Sequence, residues 1–268
     1  PLPVEDQVVS LYAGTRGFMD DVPVEAVGKF ELGLLDFLRN SKPEVLSGIK
    51  DQLKLDDDLE GKLKAAIKWG VGVDNVDFAA FKDFGVPVEN TPGVFGGEVA
   101  DVALTYTLGL ARETYFIDRE IRLNNAWPKP SGISMSGKTV ALVGFGDIGR
   151  QTAKRILACG SKIIAYDPFF KPVAGLDVEA AEWPARIEEA DFIIFTCPLN
   201  DGTRGMFNDA LLPKLKRGVR VVNVARGPVI KEAALLKALD SGLVHSAALD
   251  VFEVEPLAPD SPLRKFDR

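Results

Sequence analysis

From about Lys68 onward, the sequence predicts an α/β protein built on a doubly wound parallel sheet. Three observations indicate this class: apolar runs typical of buried strands, helix-like segments between them, and a glycine-rich turn directly after one of the runs. The runs are Thr139–Val143, Lys162–Tyr166, Phe192–Thr196, Val219–Val224 and Ala247–Leu249. Strands that are apolar along their whole length are typical of parallel sheets, because helices cover both faces of such a sheet.

Residues 1–67 follow a different pattern and are predicted to be helical. Apolar residues recur at helical spacing from Val27 to Leu38, with charged residues between them. Ser41 and Glu44 have the spacing of a capping box, which begins a helix. No strand and no group of chemically active residues is found in this part. We therefore interpret it as a small helical bundle.

Within the second part, ahead of the first apolar run, the sequence predicts a short strand at Val86-Pro-Val88 and a long helix from Glu98 to about Asn124. Two more helices are predicted between the apolar runs, at Ile148–Ala158 and Lys231–Asp240. The alternation of strand, turn and helix is that of βαβ units.

Composition excludes several classes of function. The protein has 268 residues, is 46% hydrophobic and 26% charged, and carries a net charge of −7. It lacks the basic surface that a nucleic-acid phosphate backbone requires, and it has no apolar run near the ~18 residues of a membrane span. Cys159 and Cys197 have neither disulfide nor metal-site spacing, and the start PLPVEDQ has no signal sequence and no initiator Met. We expect a cytoplasmic protein, present as a fragment, in processed form or as a recombinant product.

The most informative motif is the turn Gly144-Phe-Gly146-Asp-Ile-Gly149, which follows an apolar strand and precedes a helix. Gly144 permits the tight turn, Gly146 lets the backbone approach a pyrophosphate, and Gly149 lets the helix pack closely on the strand. The free N–H groups of the helix start favour an anion. Together these features predict a dinucleotide-binding turn rather than an ordinary structural one.

Asp167 ends the next apolar strand, near the offset expected for an acid that binds the adenosine ribose. Its negative charge would repel a 2′-phosphate, so NAD is favoured over NADP as the cofactor. Lys171 lies nearby in sequence and weakens that preference. The alternative interpretation is a surface Asp without a ligand.

Five segments in residues 68–268 resemble the D-isomer-specific 2-hydroxyacid dehydrogenases, which include phosphoglycerate and glyoxylate-type enzymes. The segments are WGVGVDNVD at 69–77, VENTPG at 88–93, LVGFGDIGR at 142–150, NVARGPVI at 223–230 and ALDVFEVEPL at 248–257. The resemblance implies a Rossmann NAD-binding domain at 98–268, which includes the long helix, and a partial substrate domain at 68–97.

The resemblance also implies which residues bind the cofactor. Besides the three glycines, Asp147 and Ile148 would contact the pyrophosphate and Asp167 the ribose. Asp250 would bind the nicotinamide carboxamide. The residues that would line the rest of the cofactor cleft are Thr196, Cys197, Pro198, Val224 and Ala225.

For the substrate, the resemblance implies that the N–H groups of Val71 and Gly72 bind its carboxylate, that Arg226 holds it, and that Glu255 is a second catalytic residue. Arg226 follows a strand that ends at the ligand-binding edge, and its planar fork suits a carboxylate beside a carbonyl group. The alternatives are a surface salt bridge for Arg226 and a solvated loop residue for Glu255.

The family's third catalytic residue is a His beyond the EPL segment, which exchanges a proton with the substrate oxygen. Residues 256–268 contain no His, and His245 is interpreted as a surface turn residue rather than a replacement. The final strand of the sheet and the closing helix of the substrate domain are also expected to be absent. Weak or no turnover is therefore expected.

Residues 1–67 resemble the C-terminal helical domain of the ATP synthase alpha subunit, through PLPVEDQVVSLYAGTRGFMDD and VEAVGKFELGLLDFLR. The join to the dehydrogenase-like part is placed within 62–68. There KLKAAI fits either the end of a helix or an apolar strand. A natural fusion, a recombinant protein or an assembly error would each produce such a sequence.

The leading functional hypothesis is an NAD-dependent oxidoreductase that acts on a small 2-hydroxy or 2-oxo acid. Two alternatives remain open: a non-catalytic NAD(H)-binding module, and a structural helical piece like that of ATP synthase. A homodimer through residues 98–124 is expected, without nucleic acid or membrane as a partner. The sequence does not identify the acid.

Overall fold

The computed structural model describes residues 66–68, 70–74, 76–83 and 85–266. The protein divides into two compact units between Pro92 and Gly93. The helical segment predicted over residues 1–67 lies outside the described residues except for Ala66 and Ile67. These two belong to a strand, so of the two interpretations of KLKAAI the strand is observed at its end.

The described part of the first unit contains two strands and one helix: β1 (Ala66–Lys68), α1 (Phe78–Asp83) and β2 (Val88–Asn90). The two strands pair in parallel, with Ala66 opposite Val88. The predicted strand is therefore present, but it begins two residues later than expected.

The second unit contains a six-stranded sheet in which all pairs are parallel. Its helices and strands are α2 (Gly96–Arg112), α3 (Thr114–Leu123), β3 (Thr139–Val143), α4 (Asp147–Ala158), β4 (Lys162–Tyr166), β5 (Glu179–Ala180), β6 (Phe192–Phe195), β7 (Val219–Asn223), α5 (Glu232–Asp240) and β8 (Val244–Leu249). The spatial order is β5-β4-β3-β6-β7-β8, so the direction of winding reverses between β3 and β6. This order confirms the predicted doubly wound α/β fold.

The strand predictions differ from the structure at the two edges of the sheet. The edge strand β5 was not predicted, because it has only two residues and both are exposed. The opposite edge strand, β8, begins three residues earlier than predicted, since His245 and Ser246 interrupt its apolar pattern. Between β8 and residue 266 the structure describes no further strand. That a strand beyond β8 is missing stays a prediction.

Apolar side chains cover both faces of the sheet, as its continuous apolar strands require. On one face, α2 and α4 pack against the sheet through residues that include Ala103, Leu110, Ala153 and Ile156. On the other face, the core includes Leu235 and Ala238 of α5 and the loop residues Phe207 and Leu211. These two layers hold the carboxyl ends of the strands in fixed positions.

The single long helix predicted from Glu98 to about Asn124 is wrong, because the backbone turns at Glu113. This residue has a left-handed conformation (φ 56°), and its N–H donates to the carbonyl oxygen of Gly109. The Tyr115 ring then lies where a side chain at position 109 would be, and its hydroxyl donates to the Thr105 carbonyl oxygen at 3.2 Å.

In the part of the protein that the structure describes, no helix has the length and hydropathy to cross a membrane.

Asp191 ties together the amino ends of the strands. Although burial opposes its ionisation, hydrogen bonds from Lys216 Nζ (2.8 Å) and Thr139 N (3.0 Å), with the charges of Lys216 and Lys138, lower the pKa of Asp191. A carboxyl group whose pKa is lowered by folding stabilises the fold above its unfolded pKa. That stabilisation is lost as the pH falls through the folded pKa.

We therefore expect Asp191→Asn to lower the free energy of unfolding by about 1–3 kcal/mol at pH 7, because the amide keeps the Thr139 contact but loses the charge. The difference from wild type should shrink below about pH 4, where the wild-type carboxylate also becomes protonated. Urea unfolding at several pH values measures this. The exposed Asp260→Asn serves as the control and should match wild type throughout; an equal loss in both variants would contradict the assignment.

Candidate functional site

The candidate cofactor residues follow the carboxyl ends of five neighbouring parallel strands. Gly144–Gly149 follow β3, Asp167 follows β4, Thr196–Pro198 follow β6, Val224–Arg226 follow β7 and Asp250 follows β8. Because the strands are parallel and adjacent, these ends share one edge of the sheet. In doubly wound folds, ligands bind at this edge, near the point where the strand order reverses.

The three glycines of the turn meet different surroundings. Gly144 has φ 97°, and a Cβ there would lie 2.7 Å from the backbone nitrogen of Cys197. A Cβ at Gly149 would overlap the carbonyl oxygen of Gly144, so this glycine allows the helix to pack on the turn. A Cβ at Gly146 would meet no atom within 4 Å. The backbone is therefore closely packed at Gly144 and Gly149, whereas there is open space next to Gly146.

Helix α4 begins at Asp147, directly after Gly146. The first backbone hydrogen bond of the helix runs from the N–H of Arg150 to the carbonyl oxygen of Gly146, at 3.0 Å. The N–H groups of Asp147, Ile148 and Gly149 therefore have no partner inside the helix. A helix start with free N–H groups and an open turn before it suits a phosphate group.

The Asp167 carboxylate faces the glycine turn. Its Oδ2 accepts a hydrogen bond from the N–H of Phe145 at 2.6 Å, and its Oδ1 accepts one from the N–H of Phe169 at 2.8 Å. An ionised carboxylate offers about four acceptor sites, so it can still accept from sugar hydroxyl groups. The two backbone bonds fix the position of the carboxylate beside the turn.

The turn after β6 braces the glycine turn from the other side. The Thr196 hydroxyl lies 2.9 Å from the carbonyl oxygen of Gly144, to which it can donate. Cys197 is buried, and burial raises the pKa of its thiol to about 12, so the thiol stays neutral and is no nucleophile. Pro198 is exposed.

A buried Asn that was not predicted as a site residue organises the turn after β7. Asn223 Oδ1 accepts from the N–H of Ala225 at 3.0 Å, and its Nδ2 donates to the carbonyl oxygen of Arg226 at 3.1 Å. Val224 and Ala225 are buried, whereas Arg226 is half-buried and its Nη1 donates to the Ala225 carbonyl oxygen at 2.8 Å. The polar Asn at the end of an apolar strand was the available signal.

The turn that carries Arg226 is packed against the loop that carries Glu255. A Cβ at Gly227 would overlap the carbonyl oxygen of Phe252 and lie 2.6 Å from the nitrogen of Glu253. The Glu255 Oε1 accepts from the N–H of Phe252 at 2.9 Å, which orders the exposed loop. Gly227 thus brings the two segments of the predicted catalytic residues together.

Asp250 is exposed and held at the edge of the sheet by its backbone, because its N–H donates to the carbonyl oxygen of Asn223 at 3.0 Å. The Tyr106 hydroxyl of α2 lies 3.4 Å from its Oδ1. Tyr106 was not predicted as a site residue, because 144 positions separate it from Asp250 in the sequence.

The Asp147 side chain packs against the first residue of α2. A Cβ at Gly96 would lie 2.7 Å from the Asp147 Cγ, so the contact requires glycine there. The Asp147 Oδ2 is buried and, within the described residues, has no hydrogen-bond partner. The part of Asp147 that can meet a phosphate is therefore its backbone N–H.

His245 is not the surface turn residue that the sequence predicted. It is the second residue of β8, with Nδ1 3.2 Å from the Ser246 hydroxyl and Nε2 3.8 Å from Glu113 Oε1. His245 was placed in a turn because the apolar run begins at Ala247, whereas β8 itself begins at Val244. His245 lies at the amino end of the strand, roughly 16 Å along it from Asp250.

Val71 and Gly72 belong to the first unit, in the loop after β1. The loop is held by a hydrogen bond from Gly70 N to Thr91 Oγ1 at 2.9 Å and one from Asn90 Nδ2 to the Val71 carbonyl oxygen at 2.8 Å. Among the described residues, neither the Val71 nor the Gly72 N–H has an acceptor. Both can therefore donate to a ligand carboxylate.

Comparison with known proteins gives two family matches, in different parts of the sequence. Residues 104–268 match the NAD binding domain of the D-isomer specific 2-hydroxyacid dehydrogenases, and residues 1–69 match the C terminal domain of the ATP synthase alpha/beta chain. Both matches agree with the resemblances drawn from the sequence. The second match ends one residue before Gly70, near the predicted join.

Two relatives and one solved structure are similar to the dehydrogenase-like part. Hydroxypyruvate reductase of Thermotoga maritima is 42% identical over 205 residues, covering 76% of this chain and 66% of the relative. D-3-phosphoglycerate dehydrogenase 3, chloroplastic, of Arabidopsis thaliana is 40% identical over 223 residues, covering 82% and 38%.

The structure is a D-isomer specific 2-hydroxyacid dehydrogenase of Xanthobacter autotrophicus Py2 in complex with NADPH and MES. It is 32% identical with a TM-score of 0.66, and the likeness covers 76% of this chain and 65% of that one. The chain thus spans between about two fifths and two thirds of the length of these proteins. By the family match over residues 104–268, the chain belongs to the D-isomer-specific 2-hydroxyacid dehydrogenase family.

Proposed function

We propose that this protein binds NAD(H) along the carboxyl edge of its sheet and takes part in hydride transfer between the cofactor and a 2-hydroxy or 2-oxo acid. One observation carries the proposal: the glycine turn is open at Gly146, and the Asp167 carboxylate lies beside it, 2.6 Å from the Phe145 nitrogen. These are the two features that a pyrophosphate and a ribose require.

Each residue of the edge has a defined task in this proposal. The N–H groups at the start of α4 bind the pyrophosphate, Asp167 accepts from the ribose hydroxyls, and Asp250 accepts from the nicotinamide carboxamide. When bound, NAD supplies the hydride acceptor.

Arg226 grips the substrate carboxylate and polarises the adjoining carbonyl group, which makes C2 a better hydride acceptor in the reverse direction. Glu255, on the loop packed against the Arg226 turn, is the second catalytic residue. For the first unit, taken by itself, we propose that the N–H groups of Val71 and Gly72 bind a carboxylate group of the substrate. His245 takes no part in proton transfer, because it lies at the amino end of β8, away from this edge.

We assign the cofactor preference to NAD rather than NADP. Asp167 is a negative charge placed where a 2′-phosphate would approach. Its Oδ2 is held by the N–H of Phe145 in the turn and its Oδ1 by the N–H of Phe169. Lys171 is exposed four residues later and is the nearby positive charge that could offset this preference.

A second candidate is an NAD(H)-binding module without chemistry, for which the open glycine turn and the Asp167 carboxylate beside it would suffice. NADH fluorescence titration, followed by NADH consumption with glyoxylate and hydroxypyruvate, separates the candidates. Binding with consumption supports the oxidoreductase, binding alone supports the module, and a folded protein that does not bind NADH contradicts both.

A third candidate, a structural role for the amino-terminal part, is supported by the match of residues 1–69 to the ATP synthase domain. Co-purification of the protein with ATP synthase beta subunits tests it. Purification of the protein without any bound beta subunit would count against this structural role.

We also propose that the protein is cytoplasmic, since its two cysteines are unpaired, and that it forms a homodimer through the region of α2 and α3. Tyr115, Ile121, Leu123 and Trp127 are large apolar residues here with exposed fractions between 46% and 78%. Large apolar residues exposed in one region of the chain favour an interaction surface in that region.

If this surface pairs two copies, Leu123→Asp should convert a sedimenting dimer into a monomer, because it places a charge within the apolar contact. Analytical ultracentrifugation of wild type and variant measures the change. The matched control is Val254→Asp, which alters an equally exposed apolar residue elsewhere in the unit and should leave the dimer intact. A monomeric wild type would contradict the proposal.

A further inference from the structure

Tyr106 of α2 reaches the candidate nicotinamide end of the site from the face of the sheet. Its hydroxyl lies 3.4 Å from Oδ1 of Asp250 and can donate to that carboxylate. The Asp250 backbone is held by the hydrogen bond from its N–H to the Asn223 carbonyl oxygen at 3.0 Å. In the described part of the protein, no other hydrogen bond reaches the Asp250 carboxylate.

The Tyr106 ring is itself held in place. The Tyr115 ring, which follows the turn at Glu113, meets it edge-on, with centroids 6.4 Å apart and planes at 80°. Burial and the nearby Asp250 carboxylate raise the pKa of Tyr106, so the phenol keeps its proton and remains a donor at neutral pH. Position and protonation state both suit a lasting contact with a carboxylate.

This contact has a consequence for the carboxylate. A phenol has one proton to donate, and when Oδ1 receives it, Oδ2 keeps its own lone pairs for other donors. Without the phenol, an exposed Asp side chain on a loop samples several rotamers, and ordering it on binding costs free energy. Fixing the side chain in advance removes part of that cost.

We propose that Tyr106 is a positioning residue that orients the Asp250 carboxylate toward the nicotinamide carboxamide. Tyr106 thereby sets the affinity for the nicotinamide half of NADH and leaves the affinity for the ADP-ribose half unchanged. This inference rests on the proposed function, which places the nicotinamide at Asp250. It assigns to α2 a role in cofactor binding beyond its packing against the sheet.

The test compares the dissociation constants of NADH and ADP-ribose in wild type and in Tyr106→Phe. Removing one hydrogen bond to a charged group should weaken NADH binding by about three- to tenfold, while ADP-ribose binding changes by less than about twofold. In an Asp250→Ala background, Tyr106→Phe should have no further effect on NADH, because the partner is already gone.

Tyr115→Phe is the matched control. This variant also loses one hydrogen bond of a phenol, the bond from the Tyr115 hydroxyl to the Thr105 carbonyl oxygen at 3.2 Å. That hydrogen bond does not involve Asp250. Both ligands should bind this variant as they bind wild type. The two controls together distinguish positioning of Asp250 from a general effect on the helix.

The outcomes separate this inference from the proposed function. If wild type binds neither ligand, the proposed function fails and the inference fails with it. If wild type binds both and Tyr106→Phe binds NADH equally well, or loses both ligands to the same extent, the positioning role is overturned while the proposed function stands.

Discussion

We expect Gly149→Ala to destabilise the sheet unit by about 3 kcal/mol or more, because its Cβ has no room. The added carbon would overlap the Gly144 carbonyl oxygen and lie 2.9 Å from the Gly144 carbonyl carbon and 3.2 Å from the Thr196 hydroxyl. Two of these three atoms are backbone, which cannot move without opening the turn. Urea unfolding followed by circular dichroism measures the loss.

Gly146→Ala is the matched control in the same turn. Its Cβ meets no atom within 4 Å, and its backbone (φ −69°) suits a residue with a side chain, so stability should stay within about 1 kcal/mol of wild type. NADH binding should nevertheless weaken at least about tenfold, because the methyl group occupies the space through which the pyrophosphate approaches the backbone. A Gly146→Ala variant with unchanged NADH affinity would contradict the placement of the pyrophosphate.

The second large effect is expected for Asp167. Asp167→Ala removes the charged acceptor for the ribose hydroxyls and the partner of the Phe145 N–H, so NADH binding should weaken by about 10- to 100-fold. NADPH should gain relative to NADH, since the charge that repels its 2′-phosphate is gone. Titrations of both cofactors give the ratio of the two dissociation constants.

Asp167→Asn separates the two roles of this residue. The amide oxygen can still accept from the Phe145 N–H and keep the turn ordered, but the negative charge is absent. We expect a smaller loss of NADH affinity than in Asp167→Ala and a similar gain for NADPH relative to NADH. An unchanged preference between the cofactors in both variants would mean that Asp167 does not discriminate between them.

Features that depend on neighbouring residues could be predicted from the sequence. The apolar runs indicated five of the six strands of the main sheet, because a strand buried on both faces leaves a continuous apolar pattern. The glycine turn and Asp167 could be predicted because the motif requires a strand, a turn, a helix and an acid at fixed offsets. Parallel strands then bring the predicted residues to one edge without further information.

Contacts between distant parts of the sequence left no such local pattern. The Tyr106–Asp250 contact and the packing of Gly96 on Asp147 depend on where α2 crosses the sheet. The residues around these positions in the sequence do not indicate that crossing point. The turn at Glu113 was missed for a related reason. No Gly or Pro marks it, and the left-handed residue is compensated by the packing of Tyr115 onto Gly109.

Polar residues inside strands caused the remaining errors. His245 was placed in a turn because it interrupts an apolar run, yet it lies in β8 beside Glu113. Asn223 was taken as part of an apolar strand, and its role in shaping the turn before Arg226 was overlooked. Both residues sit where a strand meets other parts of the fold, so tertiary contacts rather than periodicity decide their roles.

We propose that the turn from Gly144 to Gly149 binds the pyrophosphate while Asp167 binds the ribose. Hydrogen–deuterium exchange of the whole protein, with and without saturating NADH, tests it most directly, because it reports on the amides of that turn. We predict slower exchange at Ile148 and its neighbours and around Asp167. Saturable NADH binding that leaves those amides unchanged, with protection elsewhere in the protein, would contradict it.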